Sequence, residues 1–127
     1  MIKKDLELER QWNRLLQHLA DTIGKKPADL NGVLFLIGVQ ELGRGRHTFT
    51  KEQKQDLMHI AICKVLSYSG FYELEGLDEQ GWPHWRPTQK LPHFDILDQE
   101  KLLKMHVLEY FEKEMEWDLG LNLNDGE

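Results

Sequence analysis

The sequence predicts a mainly α fold: a four-helix compact domain with a central apolar helix and a short β-hairpin inserted between helices three and four. Three observations predict it. Four stretches space their apolar residues as buried helix faces do. Residues 32–39, Gly-Val-Leu-Phe-Leu-Ile-Gly-Val, pass without a polar side chain. One face cannot absorb so many apolar groups, so the rest of the chain is expected to wrap them. Residues 71–87 change character, with aromatic and alternating residues flanking a Gly/Asp-rich centre. A length of 127 residues with 40% hydrophobic and 30% charged content suits one core. That single domain is expected over 1–117, followed by a polar C-terminal tail over 118–127.

The first helix is predicted from about Lys4 to Ile23. Leu8, Trp12, Leu15, Leu16, Leu19 and Ile23 fall on one stripe, and Gly24 suits the position just past its end. His18 lies off the stripe and reads as solvated. The second helix is expected over Ala28–Leu42, with Pro27 opening its first turn and Gly43 closing it. Gly32 and Gly38 each cost a helix up to about 1 kcal/mol. Small residues at such places let another helix approach closely.

Thr50 followed by Gln53 has the spacing of a capping box, so the third helix should begin at Lys51 and run to about Ser69. Its apolar arc, from Leu57 and Met58 through Ala61, Ile62, Val65, Leu66 and Tyr68, is wide, which implies deep burial. The hairpin should run out along Phe71–Glu75 and return along Trp82–Arg86. Pro83 and Pro87 confine the second arm to an edge. A last helix is predicted from Ile96 to about Trp117, with Leu103, Val107, Leu108, Phe111 and Met115 as its core face.

Several function classes are excluded. The chain has no Gly-rich phosphate loop, no Gly-x-Ser-x-Gly elbow and no His-Glu-x-x-His. Its one cysteine, Cys63, sits among apolar neighbours and reads as a buried small hydrophobe. The N-terminus lacks the apolar core of a signal peptide, and residues 32–39 are too few to span a bilayer, so the expectation is a soluble cytoplasmic protein with no membrane contact. The formal charge is −6, but residues 95–127 hold ten acidic side chains against three lysines. The acidity therefore belongs to the last helix and tail, and says little about the rest of the surface.

Three candidate sites remain. Glu41 lies on the stripe of Leu30, Leu34 and Ile37, where its neighbours are buried. Asp56 and His59, three apart on the next helix, are surface neighbours. Carboxylate oxygens and an imidazole drawn from two helices are what a divalent metal in a bundle requires. The competing explanation pairs Glu41 with Arg44, Arg46 or His59 near the helix end, since a buried carboxylate must be paired or protonated.

The second candidate is Gly81-Trp82-Pro83-His84-Trp85-Arg86-Pro87. Trp82, His84, Trp85 and Arg86 form a contact surface of the residue types that anchor interfaces, with Arg44 and Arg46 of the preceding loop added to it. The competing explanation folds both tryptophans down over the helices. The third candidate is a winged-helix-like nucleic-acid-binding layout, in which Arg44, Arg46, Lys51, Lys54, Arg86 and Lys90 would supply phosphate contacts. Helix two is too apolar and too long for that scaffold, and helix three offers few long polar side chains to base edges.

The function read from these features is a small intracellular binding or interaction module without catalysis, using the aromatic hairpin and the Arg-rich loop. Its partner is expected to be protein, a second copy of the chain included. The alternatives are a metal-binding helical bundle using Glu41, Asp56 and His59, and the nucleic-acid-binding layout. No cofactor is expected beyond the divalent ion of the first alternative.

Overall fold

A computed structural model describes residues 2–27, 29–43, 48–93 and 95–119. The chain is mainly α. Its elements are α1 (Ile2–Ile23), α2 (Leu30–Leu42), α3 (Lys51–Ser67), β1 (Tyr72–Leu77), β2 (Pro83–Pro87) and α4 (Ile96–Met115). The two strands are an antiparallel pair between α3 and α4. Among the described residues no helix is long and apolar enough to cross a membrane.

The residues gather into two units. One is built from both ends of the sequence and holds α1 and α4. On α1, Trp12, Leu15, Leu16 and Leu19 are buried, as the stripe predicts, while Ile23 at the helix end is half exposed. Each such burial stabilises by about 1.5–3 kcal/mol. On α4, Val107, Leu108 and Phe111 are buried as expected, together with Tyr110 and His106.

The buried arc of α4 is therefore wider than the apolar spacing implies. His106 enters it because Nδ1 donates to the Leu102 carbonyl at 2.8 Å, which satisfies the ring locally. His18 is not fully solvated either. Its ring stacks on Trp117 with centroids 5.2 Å apart, and Trp117 stacks in turn on Phe111 at 5.1 Å. The chain past α4 is not frayed at once: Leu119 is fully buried, and its N–H donates to Glu112 Oε1 at 2.8 Å. Residues 120–127 lie outside the described residues.

The other unit, Asp29–Asp95, is continuous. Helix α2 begins later than Pro27 suggests, because Asp29 is its N-cap: the carboxylate accepts from Gly32 N–H at 3.0 Å. Gly43 ends it in the left-handed region, with its N–H on the Val39 carbonyl. Helix α3 starts at the predicted capping box, with Thr50 Oγ1 accepting from Gln53 N–H and Gln53 Oε1 accepting from Thr50 N–H.

Gly38 lets α3 come close. A Cβ built there would stand 2.6 Å from the Leu57 carbonyl carbon and 2.9 Å from its Cβ. Leu42, Phe49 and Leu57 form a buried cluster, with Phe35, Val39 and Trp82 packed on it. Trp82 thus carries the hairpin onto the α2–α3 core.

Candidate functional site

The site is set by how the hairpin turns. Asp78 sits at its tip. Its Oδ1 accepts from the N–H groups of Gln80 (2.9 Å) and Trp82 (3.0 Å), while its own N–H bonds the Trp82 carbonyl. Aspartate at this place closes the turn with its own side chain, as asparagine also can. Its second oxygen, Oδ2, accepts from His84 Nε2 at 2.9 Å. These bonds, the His84 one first, hold the Asp78 carboxyl below its usual range.

The register is Tyr72–Pro87, Glu73–Arg86 and Leu74–Trp85, and then slips past Glu75 so that Gly76 faces His84. That bulge re-aims the tip of the second arm. At the other end Thr88 N–H bonds the Phe71 carbonyl and Gln89 Nε2 the Gly70 carbonyl, at 3.0 Å each. The hairpin is thus fastened beside the C-terminal end of α3.

Between this hairpin and α3 lies a cleft of about 420 Å³. Its helical wall is Gln53, Asp56, His59 and Ile60, and its other wall is Asp78, Gln80, Trp82, Pro83, His84 and Trp85. Asp56 is exposed and, among the described residues, forms no ion pair; Trp85 is half-buried, and its indole Nε1 is shielded from solvent without a hydrogen-bond partner among them. Buried polar atoms in native proteins are nearly always paired, so this donor is a departure that calls for an acceptor. His59 Nε2 lies 3.6 Å from Cys63 Sγ. Burial pushes the Cys63 thiol up to about 11, and the Tyr72 hydroxyl is also raised, by burial first and by Cys63 second.

The structure joins two of the sequence candidates that were separate and divides a third group. Asp56 and His59 share one cleft with Trp82, His84 and Trp85. Glu41 does not line it. Lys64 Nζ lies 4.0 Å from Glu41 Oε1, each side chain being about a quarter exposed, and Lys64 also rests 5.6 Å over the Tyr68 ring. A cation one helix away, not anticipated in the sequence, therefore faces the carboxylate that ends α2. Among the described residues no three His, Cys, Asp or Glu side chains form a group suited to a metal ion, so Glu41, Asp56 and His59 are not assembled as a ligand set.

Arg86 turns to Glu73 at 2.8 Å on the exposed side of the strands and is not part of the cleft lining. Arg44 and Arg46 lie outside the described residues. The two tryptophans are neither wholly core nor wholly surface: both are half-buried, and Trp82 packs on the core while walling the cleft. Sequence reasoning missed Gln53, Asp78 and Gln80. The signal for Asp78 was present, since an aspartate three residues before Gly81 marks a side-chain-closed turn.

No family model, no curated protein and no solved structure matches this chain.

Proposed function

We propose that this protein is a binding module whose contact surface is the cleft between α3 and the hairpin. The observation that supports it most directly is the composition of that cleft. Two tryptophans, anchored on a hairpin whose turn is closed by Asp78, stand opposite a polar strip of α3. A volume of about 420 Å³ falls in the size range of ligand pockets. Aromatic anchors with a few convergent polar groups are the usual make-up of such sites.

The test is a fragment screen followed by amide and indole resonances in nitrogen-15 labelled protein. Hits are expected to concentrate on the Trp82 and Trp85 indoles and the amides of Gln53, Asp56 and Gln80. Hits spread over other surfaces, with the cleft silent, would overturn the proposal.

A further inference from the structure

We infer that the cleft receives a cationic side chain, an arginine presented by a partner protein, with Asp56 as its carboxylate and the Trp82 and Trp85 rings as its stacking surface. This rests on the reading of the cleft as a contact surface. Among the described residues the lining holds two carboxylates and two imidazoles but no lysine or arginine. Asp78 is already engaged by two backbone N–H groups and His84. Asp56 has no such engagement among the described residues and is the carboxylate left to meet a ligand.

Indole faces attract cations through the ring quadrupole, tryptophan most strongly of the aromatic side chains. Guanidinium is the cation that combines stacking on an aromatic face with a two-point bond to a carboxylate. It is also more weakly hydrated than ammonium, so it costs less to bring against tryptophan. A nucleic acid fits worse. Its affinity comes chiefly from phosphates meeting lysine and arginine, and the described residues of this lining include neither.

The experiment titrates the full chain with acetyl-Gly-Arg-Gly-amide while the Trp82 and Trp85 indole resonances are followed. The lysine, citrulline and glutamate analogues of the peptide and a single-stranded oligonucleotide are titrated in parallel. The arginine peptide is expected to shift both indoles, the lysine peptide to bind several-fold more weakly, and the citrulline peptide at least tenfold more weakly. Asp56→Asn should weaken the arginine peptide about tenfold and Asp56→Glu should recover most of that loss.

Citrulline or glutamate binding as well as arginine overturns the cation while leaving the cleft a contact surface. Preferential binding of the oligonucleotide at the indoles does the same. Shifts from the arginine peptide that fall outside the cleft overturn both. Asp56 is exposed on α3, so its variants are expected to keep the native circular dichroism spectrum.

Discussion

Gly38 on α2 and Leu57 on α3 pack so closely that no side chain fits between them. A Cβ at residue 38 would meet the Leu57 carbonyl group and its Cβ at once. The obstacle is mostly backbone, which cannot rotate away as a side-chain end can. Gly38→Ala should therefore destabilise by about 1–3 kcal/mol, the ordinary cost of overpacking, despite the better helix propensity of alanine. Urea unfolding followed by far-UV circular dichroism measures it. An unchanged midpoint would mean that the two helices are not in this contact.

The two tryptophans are expected to separate in their effects on stability. Trp82 packs on the Leu42, Phe49 and Leu57 cluster, so Trp82→Ala should cost about 2 kcal/mol, less than a fully buried aromatic. Trp85→Phe removes an N–H that has no partner and keeps most of the ring. It should leave stability within about 0.5 kcal/mol or raise it, because an unsatisfied buried donor costs about 1–3 kcal/mol. Denaturant midpoints of the two variants decide this, and a large loss in Trp85→Phe would show that its N–H is bonded after all.

Removing the hydroxyl of Thr50 takes away half of a reciprocal cap on α3. Thr50→Ala should lower stability by about 1 kcal/mol, and Thr50→Ser by much less. The same unfolding curves give the answer. Equal effects from both substitutions would place the role of Thr50 elsewhere.

Cys63 should be nearly inert in the folded protein. Burial raises its thiol to about 11 from the ordinary value of 9.0, which lowers the thiolate fraction near pH 8 roughly a hundredfold. Alkylation by iodoacetamide, followed by mass spectrometry, is expected to be slow in buffer and fast in denaturant. Similar rates in both would mean that α3 opens readily.

Asp78 gives the hairpin a dependence on acid. Its native pKa lies below the ordinary value of 3.8, so ionisation favours the folded turn. That contribution is present above about pH 4 and is lost as the pH falls through the lowered native pKa. Protection of the Gln80 and Trp82 amides from exchange, taken against the unstructured rate at each pH, should fall over that acid interval. A carboxyl titration of Asp78 at or above 3.8 would contradict the assignment.

Local signals carried most of the fold. The capping box, the glycine that ends α2 and the α1 stripe each act within one turn of helix, and each is found where the spacing places it. Pro27 misplaced the start of α2 because a proline suits positions just before an N-cap as well as just after it, and Asp29 supplied the stronger cap. His106 escaped because a ring that bonds its own helix can be buried without an apolar neighbour pattern. The site was legible as residue types and not as an assembly. Asp56 and His59 face Trp82 and Trp85 only because the hairpin is fastened back to Gly70 and Phe71, a relation between residues 17 or more positions apart that no periodicity encodes.

The division into one continuous and one two-part unit bears on the order in which the chain can mature during synthesis. By the time residue 95 has left the ribosome, α2, α3 and the hairpin all exist, and that unit has every element it needs. Helix α1 is made first, yet its partner within its own unit is made last. Within that unit Trp12 gains its contact with Lys104 of α4 only once α4 has emerged.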